Sequence, residues 1–321
     1  MFNMTGPIVS IVIPAYNHAD YLAGAVESVL AQDFTATQLI IVDDGSTDNT
    51  PEVLAELQTT YGTERVYVIH QENAGQAKAL EVGWATASGS ILGYLSADDG
   101  LDPTAVSHSV QILETNPKAV AVYCNFRLID PAGRTIRTIV APDFDIGKLI
   151  GDVQCLPGPG AFFRRDAYLA TGPWNPAYRQ MPDYDFWLRL CIKGPFVHLD
   201  EALASFRVHE ESQTYAAATP QQAAEPFTII QRFFERQDLP DEVRGLETRS
   251  KANAHLLSAQ LHFRAGRAGP GLLNTGLGLR HYPKLLIERR FYRLLLNAAF
   301  NRRAHQILWM LRSVIGRDRR A

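Results

Sequence analysis

Cysteine is scarce in this sequence: Cys124, Cys155 and Cys191 are the only three among 321 residues. They are odd in number, far apart and without the spacing of a metal site, which favours reduced thiols over disulfides or zinc ligation. No apolar run approaches the roughly 18 residues of a membrane-spanning helix. The first residues, MFNMTGPIVSIVIPAYN, carry no basic leader. We therefore expect neither a signal peptide nor a spanning anchor, and a cytoplasmic location.

Common phosphate-binding signatures are also missing. The first strand pattern ends in residues 14–17, Pro-Ala-Tyr-Asn, where a dinucleotide-binding fold would carry G-x-G-x-x-G. A Walker phosphate loop is absent too, so NAD-dependent and P-loop enzymes are disfavoured. A sugar-1-phosphate nucleotidyltransferase would want a Gly-rich, basic loop at the same place. Two alternative functions stay open throughout: this nucleotidyltransferase class, and a non-catalytic module that binds a nucleotide-sugar.

Charge is unevenly distributed along the chain. The net charge is −3, but residues 280–321 hold eleven Lys/Arg and two acids, so this tail is +9 and the rest is −12. Its amphipathic patterns predict helices that either lie on an anionic membrane surface or pack on the rest of the protein with a solvated basic face. No nucleic-acid-binding motif accompanies the tail, so we expect no nucleic acid partner.

Short β-branched runs alternate with helical patterns in the first hundred residues. Strands are predicted at 9–14, 39–42, 65–70 and 91–95, with helices between them. This order predicts an α/β fold with a mostly parallel sheet covered by helices on both faces. Further predictions are a hairpin around residues 130–133, short strands at 196–199 and 202–208, and a helix over 183–193. The low-complexity stretch 216–226 marks a boundary, giving a domain of residues 1–215 and a helical region of residues 216–321.

Two pairs of aspartates follow predicted strands. Asp43 and Asp44 close the second strand, and Asp98 and Asp99 follow the fourth. Ligands of open α/β sheets bind beyond the carboxyl ends of the strands. The pairs are therefore expected to project into a ligand-binding crevice, although turn formation and helix capping are simpler roles for the same residues.

Three stretches together resemble one enzyme family. They are VSIVIPAYN, IIVDDGSTDNT and NAGQAKALEVGWATASGSILGYLSADD, in this order and spacing. The first ~210 residues are similar to glycosyltransferase family 2, which has the GT-A fold, a Rossmann-like α/β architecture. The resemblance implies an inverting, metal-dependent enzyme of hexosyltransferase type that transfers sugar from a nucleotide-sugar, UDP-linked by expectation, to an acceptor hydroxyl. Mn²⁺ or Mg²⁺ is the implied cofactor.

The resemblance also implies residues that bind the donor. Asp44 would accept the imide N–H of the base, Tyr16 would stack on its ring, and the backbone of Pro14 and Ala15 would lie beside it. Asp98 would reach the ribose or the sugar. The family's Asp-x-Asp motif would begin at position 96, which is Ser96 here, so one acid of the motif is missing.

Metal and catalytic residues are implied in the same way. Asp99 would hold the cation, with His209 as a second ligand, although a lone histidine is as readily structural. Asp183 would be the base that deprotonates the acceptor, since it matches the Asp of the family's Glu-Asp pair; Pro182 stands at the Glu position. The alternative for Asp183 is a helix cap, and both roles can coexist.

The absence of a Gln-x-x-Arg-Trp motif argues against processive polymerisation. We therefore expect addition of one sugar to a saccharide or lipid-linked acceptor during surface polysaccharide or glycolipid synthesis. The tail would allow peripheral contact with the inner face of the cell membrane.

Overall fold

A computed structural model describes residues 9–209, 217–289 and 291–292 of the chain. Nine strands are found in this part, in chain order β1 (Val9–Ala15), β2 (Thr37–Asp43), β3 (Tyr67–His70), β4 (Ile91–Tyr94), β5 (Gly100–Leu101), β6 (Ala121–Ile129), β7 (Thr135–Ile139), β8 (Phe162–Arg164) and β9 (Phe196–Arg207).

The same part of the chain contains ten α-helices, a short π-helix at Gly147–Gly151 and a 3₁₀ helix at Pro283–Ile287. The α-helices are α1 (Ala19–Leu30), α2 (Thr50–Tyr61), α3 (Gln76–Thr86), α4 (Ala105–Thr115), α5 (Arg165–Thr171), α6 (Pro182–Cys191), α7 (Pro220–Phe234), α8 (Asp241–Arg244), α9 (Glu247–Arg264) and α10 (Ala268–His281).

All nine strands belong to one sheet, whose main order is β3-β2-β1-β4-β8-β6-β9-β5, with β7 added beside β6. The β3-β2-β1-β4 half is entirely parallel. The other half is mixed: β8 runs antiparallel to β4 and β6, while β6 and β9 run parallel. The predicted α/β fold is confirmed. The two strands predicted at 196–199 and 202–208 are one continuous strand, β9, which changes register against β6 at Asn125.

The centre of the parallel half consists of strands buried on both sides, β1 and most of β2, whereas the edge strand β3 is partly exposed. Every residue of β1 is buried, which suits the continuous apolar run of its sequence. Helix α1 turns Leu22, Ala25, Val26 and Val29 toward this core at helical spacing. Helix α3 approaches β1 so closely that a methyl group added at Gly83 would lie 2.4 Å from Val12 Cγ1. Tight packing of this kind fixes where the loops after the strands emerge.

The chain divides into two compact units, Met1–Leu149 with Cys155–Ser212, and Ile150–Gln154 with Gln213–Ala321. The second unit is helical in its described part, and α7 begins with a capping box between Thr219 and Gln222. Within that unit, Ser250 and Asn253 of α9 donate hydrogen bonds to the carbonyls of Ile150 and Gly151, both 2.8 Å. The predicted basic amphipathic tail falls mostly on residues 293–321, outside the described residues.

Candidate active site

The loops after β1 and β2 lie side by side because their strands are hydrogen-bonded neighbours. Ala15 pairs with Asp43 in register, and the backbone N–H of Asp44 donates to the Ala15 carbonyl at 2.8 Å. Pro14 and Ala15 are buried in the strand, whereas Tyr16 leaves it and is 43% exposed. An accessible aromatic ring therefore lies beside the first aspartate pair.

Asn17 joins these two loops, a role that its sequence position alone does not reveal. It has a left-handed backbone with φ 56°, which asparagine tolerates better than most residues. Its Oδ1 accepts the backbone N–H of Thr47 at 2.8 Å, while its own N–H donates to Ser46 Oγ at 3.0 Å. These bonds hold the backbone next to Tyr16 in place.

The carboxylate of Asp44 is buried and organises the loop before α3. Its Oδ1 accepts Gln71 Nε2 at 2.6 Å and the backbone N–H of Ala74 at 2.8 Å, and its Oδ2 accepts the N–H of Gly75 at 2.7 Å. A carboxylate has about four acceptor positions, and the described residues occupy two on Oδ1 and one on Oδ2. These roles of Gln71, Ala74 and Gly75 were not predicted, because the sequence offers only a turn signal at Gly75.

Asp43 serves the turn that follows β2. Its Oδ1 accepts the N–H of Ser46 at 3.1 Å, and its Oδ2 lies 2.9 Å from His70 Nδ1. Gly45 completes the turn with φ 71°, and a side chain there would collide with the backbone N of Asn73 at 2.8 Å. Turn formation therefore accounts for Asp43 and Gly45, but the hydrogen bonds of Asp44 reach a different segment.

The second aspartate pair meets the end of β9. Asp98 Oδ2 lies 2.9 Å from His209 Nε2, and Asp99 Oδ1 accepts the backbone N–H of Arg207 at 2.9 Å. The Arg207 side chain donates through Nε to the Asp98 carbonyl at 2.9 Å. Its guanidinium carbon also lies 4.9 Å from the centre of the Tyr21 ring. Asp98, Asp99 and His209 are thus brought together, and Arg207 is a member of the group that sequence reasoning missed.

Electrostatics at this pair favours a cation. Burial, and secondly the negative charge of Asp98, raise the pKa of Asp99 well above the ordinary range of an aspartate, against the opposing effect of Arg207. Neighbouring carboxylates in a poorly solvated place repel each other unless a proton or a cation is shared between them. A positive ligand would therefore lower the free energy of the ionised form of Asp99.

The donor atoms at this place suit a hard divalent cation. In the described residues no group of three or more His, Cys, Asp or Glu side chains is arranged to hold a metal. A cation that also takes oxygens from a bound diphosphate needs only one or two protein carboxylates. Asp99 supplies a buried carboxylate whose Oδ2 accepts no hydrogen bond from the part of the chain described, and an imidazole is close by. The residues present fit such an ion.

Asp183 lies in the first turn of α6. The helix begins at Pro182, with Met181 at the N-cap and no side-chain capping bond, so the capping role considered for Asp183 is not observed. Burial raises the pKa of Asp183, opposed by the backbone N–H of Tyr184 and by the Cys155 thiol. The side chain is nonetheless half-buried rather than sealed. A carboxylate that is poorly solvated yet accessible has increased basicity and can still meet a ligand.

Tyr94 connects the last two groups of acids. It ends β4, and its ring packs edge-on against Trp174 at 5.0 Å between centroids. Burial raises the pKa of Tyr94 well above its ordinary range, and the charges of Asp183, Cys155 and Asp99 raise it further, in that order. The pKa of Tyr94 therefore depends on the charges of Asp183, at the start of α6, and of Asp99. No signal in the sequence identified Tyr94.

The sequence of this domain is similar to those of known proteins. A family model described as glycosyl transferase family 2 matches residues 10–171. The chain belongs to glycosyltransferase family 2. An uncharacterized glycosyltransferase of Rickettsia typhi is 31% identical to this family member over 224 residues, covering 67% of the chain and 68% of the relative. That relative's name adds no substrate.

Other relatives of this family 2 chain are much longer than the matched part. Chondroitin synthase of Escherichia coli is 33% identical over 207 residues, covering 64% of the chain but 30% of the synthase. A glycosyltransferase of Rickettsia felis is matched over 35% of its length. The chain thus spans about a third of these two proteins.

Solved structures show that the family 2 chain has the same fold as known nucleotide-sugar enzymes. Residues 1–349 of S. aureus TarS, in complex with UDP-GlcNAc, align with a TM-score of 0.63 at 16% identity, covering 86% of this chain and 92% of that one. The mannosyltransferase PcManGT of Pyrobaculum calidifontis, with GDP-Man and Mn²⁺, aligns with a TM-score of 0.61 at 18% identity, covering 91% and 86%. At these identities the likeness concerns the fold.

Proposed function

We propose that this glycosyltransferase moves a sugar from a nucleotide-sugar, UDP-linked by preference, to an acceptor hydroxyl with inversion at the sugar carbon. The observation that carries the proposal is the group at the end of β9, where Asp99 Oδ1 accepts the backbone N–H of Arg207 at 2.9 Å and Asp98 Oδ2 lies 2.9 Å from His209 Nε2. One acid placed near a leaving diphosphate and another placed to receive a proton are the two elements of a direct displacement.

The nucleotide would lie at the end of β1 and β2. Tyr16 offers an exposed ring for stacking on a base, and the Pro14-Ala15 backbone flanks it. Asp44 would accept the imide N–H of a uracil through Oδ2. Asp98 would meet the ribose or the sugar, its carboxylate held in place by His209.

The diphosphate would lie against the second aspartate pair, where Asp99 and His209 would hold Mn²⁺ or Mg²⁺. When bound, such a cation neutralises charge on the departing nucleoside diphosphate. The protein's own part is to keep Asp99 in position through the backbone N–H of Arg207. The mannosyltransferase neighbour is described with Mn²⁺, which supports this choice of ion.

Asp183 would act as the base. Its burial favours proton uptake, and its place at the start of α6 keeps the carboxylate at the amino end of a helix. The acceptor hydroxyl would give its proton to this carboxylate while its oxygen forms the new bond to the sugar carbon. The bond from that carbon to the diphosphate breaks, and the electron pair leaves with the diphosphate.

The acceptor is proposed to be a saccharide or a lipid-linked saccharide, as expected for surface polysaccharide or glycolipid synthesis. The similarity to chondroitin synthase supports a saccharide. No helix among the described residues has both the length and the apolar character needed to cross a bilayer. Peripheral contact of the basic tail with the inner face of the membrane stays a prediction, because residues 293–321 lie outside the described part.

Two measurements on the full chain test the proposal. A thermal-shift panel of nucleotide-sugars with and without Mn²⁺ should show one donor that raises the melting temperature by about 5 to 10 °C at a hundredfold excess over Kd. With that donor and an acceptor mixture, Asp183→Asn should then release UDP at least about 100-fold more slowly than the wild type. Donor binding of this variant should remain.

Asp185→Asn is the matched control, since Asp185 lies in the same helical turn but is paired with Arg189 at 2.8 Å. It should keep turnover while losing some stability. Full activity of Asp183→Asn would remove the base assignment. Pyrophosphate release from a nucleoside triphosphate and a sugar phosphate, without UDP release, would instead indicate a nucleotidyltransferase.

A further inference from the structure

The thiol of Cys155 contacts the carboxylate proposed as the base. Its Sγ lies 3.7 Å from Asp183 Oδ2 and 3.4 Å from the carbonyl oxygen of Pro157. Within the described residues, no other side chain hydrogen-bonds to Asp183. Among the side chains that the structure describes, the thiol is therefore the one that can orient this carboxylate.

The other two cysteines are partnered differently. Cys124 lies 3.8 Å from the carbonyls of Pro159 and Gly160, and Cys191 lies 3.2 Å from the carbonyl of Leu188. Both are buried and act as small apolar side chains with weak bonds to backbone oxygens. Cys155 is half-buried and is the cysteine that meets an ionisable group.

We propose that Cys155 is a positioning residue for the transfer reaction: its thiol donates to Asp183 Oδ2 and thereby fixes the orientation of the carboxylate that takes the acceptor proton. The inference rests on the proposed function, in which Asp183 is the base. Burial and the charge of Asp183 raise the pKa of Cys155 well above the ordinary range of a thiol, so it remains a donor and does not compete for the acceptor proton.

Proton positions are balanced in this scheme. The thiol proton stays on sulfur throughout, and the acceptor proton moves to the Asp183 carboxylate. Once Asp183 is neutral, the hydrogen bond that it accepts from the thiol is weaker, and the S–H can rotate to donate to the nearer Pro157 carbonyl. The titratable groups that face Asp183 are Cys155 and, at the end of β4, Tyr94; on its own helix Asp185 is paired with Arg189.

Alkylation of the thiol tests the contact without any sugar substrate. Because the charge of Asp183 hinders ionisation of the thiol, Asp183→Asn should speed iodoacetamide labelling of Cys155 at about pH 8.5 by roughly three- to tenfold. Peptide-resolved mass spectrometry measures the rates of all three cysteines in one sample. Cys191 is the internal control and should be unchanged.

Kinetics test the role in the reaction. The bond from Cys155 lowers the pKa of Asp183, so its removal in Cys155→Ala should raise that pKa and shift the acidic limb of the kcat profile to higher pH. We expect roughly a three- to tenfold loss of kcat on the acidic limb of the profile that disappears on its alkaline side, with the donor KM unchanged. Cys155→Ser keeps a donor and should restore the profile, and Cys191→Ala should resemble wild type.

The outcomes separate this inference from the function it rests on. A loss of kcat that is equal at every pH, or one that Cys155→Ser fails to correct, would assign Cys155 a packing role only. Equal labelling rates in wild type and Asp183→Asn would refute the contact itself. An active Asp183→Asn would overturn the proposed base, whatever the behaviour of Cys155.

Discussion

Asp44→Asn is the substitution that best tests how hydrogen bonds to Asp44 stabilise the loop before α3. The carboxylate is 3% exposed and accepts three hydrogen bonds, from Gln71, Ala74 and Gly75. An asparagine amide can keep its oxygen at the Oδ1 position, where two of these donors converge. Its NH₂ group would then face the N–H of Gly75, which now lies 2.7 Å from Oδ2.

The magnitude follows from these contacts. One charge-assisted bond, worth about 1.5 to 3 kcal/mol, is replaced by a contact between two donors. The negative charge near the amino end of α3 is also lost, which costs about 0.3 to 1 kcal/mol. We therefore expect Asp44→Asn to lower the free energy of unfolding of the first unit by about 2 to 4 kcal/mol.

Urea denaturation followed by tryptophan fluorescence measures this loss. Trp84, Trp174 and Trp187 belong to the first unit, and replacing Trp309 by Phe in every variant confines the signal to them. Asp20→Asn is the control, because Asp20 is an exposed acid in the first turn of α1 and loses only the helix-end interaction. A loss for Asp44→Asn that is no larger than that of Asp20→Asn would refute the reasoning.

Two further predictions use the same assay. Burial raises the pKa of Asp183 from its ordinary 3.8, so Asp183 ionises in the unfolded chain at lower pH than in the folded one, and stability falls between the two pKa values as the pH rises. Asp183→Asn should therefore be more stable than the wild type at neutral pH, and this advantage should shrink toward about pH 4. A stability advantage that does not depend on pH would contradict this origin. Gly83→Ala should cost about 1 to 3 kcal/mol because the added methyl meets Val12 at 2.4 Å, whereas Gly24→Ala, with nothing within 4 Å, should gain up to about 1 kcal/mol; equal effects would contradict the close packing of α3 on β1.

Local sequence patterns were sufficient to predict the central strands of the sheet. The runs that became β1 and β2 are apolar and β-branched, and such runs form buried strands wherever the chain places them. The rule that ligands bind beyond the carboxyl ends of parallel strands then located both aspartate pairs. The hairpin at 130–133 was also predictable from its Asp-Pro-Ala-Gly sequence. In the structure Gly133 has φ 79°, and its N–H donates to the Asp130 carbonyl.

Contacts between distant segments were not predictable from one sequence. Arg207 lies 108 residues from Asp99, and Cys155 lies 28 residues from Asp183, so no spacing links either pair. Pro182 replaces the Glu of the family's Glu-Asp pair, which favoured a non-catalytic module. Proline is, however, favoured at the first position of a helix, and Pro182 begins α6. The partners of a carboxylate depend on where the chain returns to it, which periodicity does not record.

The hydrogen bonds of Asp44, Asp99 and Asp183 distinguish a carboxylate that the fold holds firmly from the two that are proposed to take part in the transfer. Asp44 is held by three close donors, so its charge is largely used in fixing the loop before α3. Asp99 accepts one backbone N–H, while Asp183 has a long thiol contact and the N–H of Tyr184. Burial without enough donors raises the pKa of both groups, which disfavours the folded, ligand-free protein. A cation at Asp99 and a proton delivered to Asp183 would each relieve that penalty. Because both relieving charges arrive with the substrates, the folded chain gains most from ligands at the two places where the proposed transfer needs them.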